Sequence, residues 1–303
     1  MKFGHLKDLD GLEFTLPEDD TRTTNLLKEL KPTDKPEVYI GCPVWSEKGY
    51  VGKMYPKKTQ PKNYLEEYCK QFNSIEVNAM RYGIPPRRTL ENWKSCATKD
   101  FKFSFKFPDK IANVKDLNDK RVLHFVDEFL ELVDFFGKSA GTSFLLLRPH
   151  FSLKRFKELE SFLKNKPMDF PMALEIRDAK FFNDGSFCDL LNELNISLVI
   201  TDAPGRRDVI HQILTTDTVF VRFVGGKLHP SDFTRIDEWV DRIAEWINEG
   251  VKTVYFFMHQ PAPYKYLSAD LSAYMIKGLN EKIPSLNLKP PKDYSKDDQR
   301  SLF

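Results

Sequence analysis

The stretches SFLLLRPH (143–150) and MALEIRD (172–178), with helical spacing between them, decide the fold of this chain. Each is a short apolar run of the length of a buried strand, and each ends in charged or imidazole side chains. Six further apolar runs of this length recur, and nearly all of the eight end in a charged, amide or imidazole side chain: YIGCPVW (39–45), SIEVN (74–78), FSFKF (103–107), LVITD (198–202), VFVRF (219–223) and TVYFFMHQ (253–260). Eight strands alternating with helices over about 250 residues are typical of a (β/α)₈ barrel.

The segments between these runs have helical periodicity, most clearly where apolar residues recur at spacings of three and four from Val122 to Phe136. We expect crossover helices near Lys62–Phe72, Thr89–Cys96, Val122–Phe136, Lys154–Leu163, Phe187–Leu194, Asp208–Leu214, Ile236–Ile247 and Ala269–Lys282. Parallel strands require such crossovers. The predicted fold class is therefore α/β, with a single TIM-type (β/α)₈ barrel over residues 37–284.

The ends of the chain differ from the barrel repeat. Residues 1–36 are predicted to form an N-terminal arm that packs on the barrel, with a short helix near Thr21–Leu30 that Pro32 would stop. Residues 285–303 are rich in Pro, Lys, Asp and Ser and predict a flexible C-terminal tail.

Composition restricts the class of protein. The formal net charge of +2 gives no overall basic signature of nucleic-acid binding. The four cysteines are scattered without C-x-x-C spacing, which argues against zinc knuckles and redox motifs. No apolar run is long enough for a membrane span, and the first residues lack the apolar core of a signal peptide. We expect a cytoplasmic protein with no membrane partner.

Polar side chains follow almost every strand, and in a barrel the strand C-termini share one mouth. Because strand side chains alternate, Glu76 shares a face with Asn78, and Glu175 with Arg177. The candidate ligand-binding residues are Trp45, Asn78, Lys106, Arg148, Arg177 and Arg222, and the candidate catalytic residues are Glu76, Glu175, Asp202 and His259.

These residues predict an anion site with acid–base groups beside it. Arginine offers planar, bidentate donors for phosphate or carboxylate, and the carboxylates would hold the arginines or transfer protons. An aromatic side chain such as Trp45 would stack on a base or sugar ring. The alternative is a salt-bridge network at the rim that only orders the loops.

The same residues offer an alternative metal site, since Glu76, Glu175, Asp202 and His259 occupy four strand ends. Four neighbouring cations would repel a metal ion, and no H-x-x-x-H spacing supports one. No cofactor is predicted, and a divalent metal stays an alternative.

Several blocks together resemble the YecE-like family, also catalogued as domain-of-unknown-function family 72. The blocks are IGCPVWSEKGYVGKMYP, FNSIEVNAMRYGIP, DFKFSFKFP, ALEIRDAKFF and FVRFVGG. The resemblance implies a TIM-type barrel and an activity that is not established. The family-like residues it marks here are Trp45, Glu76, Asn78, Lys106, Glu175, Arg177, Asp202 and Arg222, and His259 matches one branch.

The chain also departs from the family pattern. Strand one reads GCPVW, where many members have G-T-S-G-W, and Arg148 stands where a Gln often precedes the proline. Asp178 and Val224 occupy positions at which the pattern usually shows histidine. A mechanism that relies on either of those histidines is not expected in this protein.

The last five residues, QRSLF (299–303), resemble the peptide by which bacterial proteins dock on the DNA sliding clamp. In that pattern Leu302 and Phe303 would fill a hydrophobic pocket and Gln299 would add hydrogen bonds. The sliding clamp is thus a predicted partner. The alternatives are a chance match and a tail that folds back on its own barrel.

Three classes of function follow. The leading one is a barrel that binds an anionic, phosphate-bearing ligand, such as a nucleotide or nucleic acid, near the clamp. The second is a small-molecule enzyme of hydrolase, isomerase or lyase type, acting on a phosphorylated or carboxylated metabolite. The third is a non-catalytic adaptor.

Overall fold

The computed structural model describes residues 4–165 and 170–295. Its strands are β1 (Glu37–Cys42), β2 (Ser74–Val77), β3 (Lys102–Phe105), β4 (Ser143–Leu146), β5 (Met172–Glu175), β6 (Ile196–Asp202), β7 (Thr218–Val224) and β8 (Thr253–His259). Its α-helices are α1 (Thr21–Glu29), α2 (Tyr64–Gln71), α3 (Arg87–Cys96), α4 (Asp109–Ala112), α5 (Lys120–Phe136), α6 (Phe156–Asn165), α7 (Gly185–Glu193), α8 (Pro230–Asn248) and α9 (Ser268–Lys282).

The eight strands form one parallel sheet in the order β3-β2-β1-β8-β7-β6-β5-β4. Two isolated bridges, Phe103 with Ala140 and Lys106 with Phe144, join the outer strands β3 and β4. The Phe107 amide also donates a hydrogen bond to the Phe144 carbonyl at 3.0 Å. The sheet is therefore a nearly closed barrel, and the predicted (β/α)₈ fold is confirmed.

Aromatic side chains fill the lower part of the barrel interior. Phe220 lies 5.2 Å from Phe144 and 5.8 Å from Tyr255, measured between ring centres, and Tyr39 stacks on Tyr255 at 4.9 Å. All four side chains are buried. This layer closes the barrel from below, so the polar residues above it lie on a packed floor.

The helices pack outside the strands through their apolar faces. In α5 the buried residues include Val122, Val126, Phe129, Val133 and Phe136, as the spacing predicts. A larger apolar cluster between helices and strands contains most of the phenylalanines. Among the described residues, no helix is long and apolar enough to cross a membrane.

The helix predicted over Asp208–Leu214 is wrong. A single 3-10 turn, Arg207–Val209, is followed by extended chain, and residues 211–216 are all buried. Helix α1 of the arm packs against this segment: Thr23 Oγ1 donates to the Gln212 carbonyl and accepts from the Leu214 amide, each at 2.7 Å. A surface helix would expose one face, whereas this segment is covered by the arm.

The predicted arm packs on the barrel. Asp19 accepts hydrogen bonds from Trp246 Nε1, at 3.0 Å, and from Arg242, both on α8. Further towards the N-terminus, the Phe14 carbonyl accepts a hydrogen bond from Arg207 at 2.8 Å. The arm thus connects the chain after β6 to α8.

The described part of the predicted tail also contacts the barrel. Leu288 and Asn280 exchange two hydrogen bonds of 2.8 and 2.9 Å, and the Tyr294 amide donates to the Lys53 carbonyl at 2.6 Å. The chain between them is therefore anchored rather than free. The predicted clamp-binding residues Gln299, Leu302 and Phe303 lie outside the described residues.

Candidate functional site

A cavity of about 730 Å³ opens at the C-terminal ends of the strands. Inward-facing positions near the C-terminal ends of β7, β3 and β8 supply Arg222, Lys106 and His259 to its wall. Glu76 of β2 and Glu175 of β5 lie fully buried beside Arg222. Strand alternation is what brings these five residues from five strands together.

Arg222 is the centre of this cluster. Its Nε and Nη2 donate to the two carboxylate oxygens of Glu76 at 2.9 and 2.8 Å, and its Nη1 donates to Glu175 Oε2. Its guanidinium also lies 5.0 Å from the ring centre of Phe144, on the aromatic floor. A buried charge is tolerated only where another charged or polar group pairs with it. Here the guanidinium of Arg222 pairs with two buried carboxylates, those of Glu76 and Glu175.

The glutamates are bonded on their other sides as well. Arg177 Nε donates to Glu175 Oε1 at 2.7 Å, and Asn78 Nδ2 donates to Glu76 Oε1 at 2.7 Å. Burial alone would raise the pKa of Glu76, but Arg222 and His259 together outweigh it and hold the pKa well below its usual range. The pKa of Glu175 is also lowered, because the positive charges of Arg177 and Arg222 together outweigh the effect of burial, which alone would raise it. Both carboxylates are therefore ionised at neutral pH.

His259 is paired with the same carboxylate. Its Nε2 lies 2.9 Å from Glu76 Oε2. Burial lowers the pKa of His259, and although Glu76 opposes this, the net shift is downward, so the imidazole is neutral at pH 7. Because an ionised carboxylate only accepts, Nε2 carries the proton and Nδ1 keeps a lone pair. This carboxylate–histidine pair is suited to accept a proton from a ligand.

Lys106 differs from the arginines. Its side chain is half-buried in the cavity wall, and within the described chain no carboxylate lies within ion-pair distance of its Nζ. Burial and the positive charge of Arg222 lower the pKa of the Lys106 amine, with Glu175 and Glu76 opposing. Lys106 is thus a cation whose charge is not matched by a direct partner.

The outer rim adds further charge. Asp109 Oδ2 accepts from Arg148 Nη2 at 2.7 Å and from Arg81 Nε at 2.9 Å, and Lys265 lines the wall as well. The charged residues that line the cavity are Arg81, Lys106, Asp109, Arg148, Arg177, Arg222 and Lys265. Six cations therefore face one carboxylate, with two glutamates buried beside them.

Two predicted site residues lie elsewhere. Trp45 packs edge-on against Trp93 of α3, with 5.2 Å between ring centres, and does not line the cavity. Asp202 faces outwards, because Val199 and Thr201 take the inward positions of β6. The expectation that Asp202 joins the mouth is corrected by its contacts.

Asp202 instead joins β6 to α8. Its carboxylate accepts from Arg235 Nη2 and Trp239 Nε1, each at 2.9 Å, and from Arg207. Burial would raise the pKa of Asp202, but Arg235 and Arg207 lower it overall. This buried ion cluster holds the helix layer on the strand.

The glycine pair after β7 is occupied by the chain itself. The Gly226 amide donates to both Asp232 oxygens at 2.8 Å, and the Lys227 amide donates to Gln260 Oε1 at 2.9 Å. A Cβ on Gly226 would lie 2.1 Å from Leu9 Cδ1 of the arm. Anion binding at this loop, a common barrel position, would require these contacts to break.

The four residues considered as metal ligands are not gathered. Only Glu76 and His259 lie together, Glu175 faces two arginines, and Asp202 lies outside the barrel. Over residues 4–165 and 170–295, no group of three or more His, Cys, Asp or Glu residues could hold a metal ion.

Sequence reasoning missed Arg81, Asp109 and Lys265. All three lie in loops beyond the strands, where no periodicity indicates which side chains point towards the mouth. The signal available was the block NAMRYG after β2, in which Arg81 directly follows the apolar pair Ala79 and Met80.

Comparison with known proteins gives one family. The family model described as "Protein of unknown function DUF72" matches residues 39–294. The UPF0759 protein YecE of Escherichia coli strain K12 is 28% identical over 246 residues, which cover 74% of this chain and 86% of that protein.

Solved structures of similar fold include two described as DUF72 family proteins. One from Enterococcus faecalis is 17% identical with a TM-score of 0.64, over 82% of this chain and 99% of that one. One from Thermotoga maritima is 21% identical with a TM-score of 0.63, over 81% of this chain and 99% of that one. At these sequence identities, the structural similarity shows that the three proteins share a fold.

Proposed function

The chain belongs to the DUF72 family, as the sequence blocks indicated, and we propose that its barrel mouth binds a small ligand bearing a phosphate or carboxylate group. The observation that supports this is the charge of the cavity, whose lining holds six cations and one carboxylate. Glu76 and Glu175 neutralise part of that charge but are buried behind Arg222. An anion entering the cavity would meet the remaining positive charge.

The shape of the cavity favours a small ligand over a polymer. About 730 Å³ is the size of common small-molecule pockets, and a packed aromatic layer forms its floor. A metabolite or mononucleotide fits this volume. A nucleic acid would enter only through an unpaired end or a displaced nucleotide.

The test is stabilisation by simple anions. We expect inorganic phosphate, pyrophosphate or citrate to raise the melting temperature, because a ligand that binds only the folded state stabilises it. Arg148→Ala should weaken phosphate binding by roughly tenfold, the loss of about one charge-assisted hydrogen bond. Arg121→Ala is the matched control, since Arg121 pairs with one aspartate and is 87% exposed outside the cavity. Equal stabilisation of both variants would contradict the proposal.

The His259–Glu76 pair favours an enzyme over a passive binding protein. A neutral imidazole bonded to a carboxylate is a general base, so we propose proton transfer on a phosphorylated or carboxylated metabolite, in a hydrolase, isomerase or lyase reaction. His259→Asn should abolish turnover in a metabolite screen while phosphate still stabilises the variant. Turnover that survives this change would show that His259 is not the base, and a screen without turnover by the unaltered chain would leave a binding role alone.

The tail supports a proposal of its own, recruitment to the DNA sliding clamp through Gln299, Leu302 and Phe303. Ser295, the last described residue before this peptide, is exposed. Binding of a purified bacterial clamp to the full chain should be lost in Leu302→Ala/Phe303→Ala and kept in Arg300→Ala, which alters the variable position. Equal binding by both variants would exclude this partner.

A further inference from the structure

The side chain of Lys106 differs from the arginines of the cavity wall, because within the described residues it has no carboxylate partner. Every arginine that lines the wall has a carboxylate partner: Arg222 with Glu76 and Glu175, Arg177 with Glu175, and Arg81 and Arg148 with Asp109. In the described chain, neither Lys106 nor the rim residue Lys265 has one. Of these two lysines, Lys106 lies at a strand end, beside the buried cluster.

The backbone holds Lys106 at a fixed place. Its amide donates to the Val77 carbonyl at 3.1 Å, and it forms the bridge with Phe144 that closes the barrel between β3 and β4. Both neighbouring strands therefore fix its Cα. A nucleophile acts best when it is held in this way, because the reacting atoms then need little reorganisation.

The surroundings of Lys106 make its amine easier to deprotonate than the amine of a solvated lysine. Burial disfavours the ammonium ion, and the nearby guanidinium of Arg222 adds like-charge repulsion that lowers the pKa of the amine. Glu175 and Glu76 oppose this, but each is already bonded to Arg222. A desolvated lysine beside another cation is the usual setting of an amine that attacks carbonyl groups.

We propose that Lys106 is a covalent catalytic residue that forms an imine with an anionic carbonyl compound, a small 2-oxo acid or a phosphorylated aldehyde or ketone. This rests on the proposed function, since the cations of the wall would hold the anionic group. The Lys106 nitrogen adds to the carbonyl carbon and releases one of its two protons, which the carbonyl oxygen takes up. The resulting carbinolamine loses the hydroxyl with a second proton as water and leaves the C=N bond, with no change of oxidation state.

His259 is placed to assist this step. It lines the same cavity as Lys106, and its Nδ1 lone pair can take the proton that the attacking amine releases and return it to the leaving hydroxyl. Arg148 and Lys265 remain at the rim for the phosphate or carboxylate. The cavity thus provides an amine, a base and an anion-binding wall.

The experiment uses pyridoxal 5′-phosphate as an aldehyde with a phosphate group, and pyridoxal as the same aldehyde without it. The full chain is incubated with each, reduced with borohydride and mapped by peptide mass spectrometry. We expect reduced adduct on Lys106 with the phosphate ester, at least tenfold less with pyridoxal, and loss of labelling when inorganic phosphate is added. Labelling spread over exposed lysines in both cases would overturn the proposal.

Two variants sharpen the result. Lys106→Arg keeps the charge and should remove the adduct, whereas Lys265→Arg changes the other cavity lysine and should keep it. In the unaltered chain, Lys106 should also be labelled at lower pH than Lys265. Adduct that remains on Lys265 in the first variant would assign the chemistry to the rim and contradict the inference.

The outcome also separates this inference from the proposed function. If phosphate raises the melting temperature but no adduct forms on Lys106, the anion site is supported and the imine proposal is rejected. If phosphate does not stabilise the protein and no adduct forms on Lys106, both proposals are rejected. Adduct on Lys106 that phosphate does not suppress would contradict the role of the cationic wall.

Discussion

Arg222 and Glu76 are joined by two parallel hydrogen bonds, of 2.9 and 2.8 Å, although their residues lie on β7 and β2 at separate positions around the barrel. Both side chains are almost fully excluded from solvent. The pair therefore spans the barrel interior above the aromatic floor. It holds the cavity base in place as well as contributing charge to it.

Replacing Arg222 should be costly. Arg222→Met keeps much of the volume but leaves Glu76 and Glu175 buried without their main partner, so we expect a loss of about 3–5 kcal/mol in the free energy of unfolding. Urea denaturation measures it, with Arg121→Met as the exposed control. Restoration of stability in Arg222→Met/Glu76→Gln/Glu175→Gln would confirm the cause, and a single variant as stable as the parent would contradict it.

His211 predicts a loss of stability in mild acid. Its Nδ1 accepts from the Ile213 amide and its Nε2 lies 3.2 Å from the Val199 carbonyl, and burial lowers the pKa of His211 to about 4. The folded pKa lies below the unfolded value near 6.5, so the unfolded chain binds more protons between these values. The contribution is present above pH 6.5 and is lost as the pH falls towards 4, by roughly 3 kcal/mol.

The measurement is the free energy of unfolding from pH 8 to pH 4. Replacing the imidazole, as in His211→Gln, should make the curve less steep in that window, where the lowered pKa of His259 still contributes, whereas His124→Gln, which alters a largely exposed histidine, should leave the slope unchanged. Below about pH 4.5 the lowered pKa values of Glu76 and Glu175 add a further loss in both variants. An unchanged slope between pH 6.5 and 4 in His211→Gln would argue against a buried neutral imidazole.

Asp202 should matter for stability and not for the ligand. Asp202→Asn leaves Arg235 buried without its ion-pair partner on β6, and we expect a loss of about 3 kcal/mol. Phosphate affinity of the folded variant should stay within twofold of the parent, because Asp202 faces α8. Isothermal titration calorimetry measures this affinity, and tenfold weaker phosphate binding by Asp202→Asn would show that Asp202 contributes to the ligand site.

Thr23 tests the attachment of the arm. Thr23→Val keeps the shape but removes both 2.7 Å hydrogen bonds to residues 212 and 214, so buried backbone groups lose their partner, at a cost of about 1–3 kcal/mol. Thr24→Val is the neighbouring control, since Thr24 is exposed and makes one 3.4 Å contact. Thermal unfolding should separate the two variants, and equal melting temperatures would show that the arm adds little.

The barrel was predictable because its apolar runs have strand length and recur at regular intervals. The inward positions of Glu76, Glu175 and Arg222 followed from alternation within each strand. The same rule, counted from Val199, places Asp202 outside, so that error arose from treating a strand end as a mouth position. The covered segment 211–216 was not predictable as extended, since its cover, α1, is remote in sequence.

The packing of α1 on the chain after β6 has a consequence for synthesis on the ribosome. Thr23 is made before every strand of the barrel, yet its acceptor lies 189 positions later in the chain. The arm therefore lacks its packing partner, the chain after β6, until most of the barrel has left the ribosome. Such long-range closure slows folding, so nascent chains that stall before residue 212 would carry an unattached amphipathic helix that chaperones can recognise.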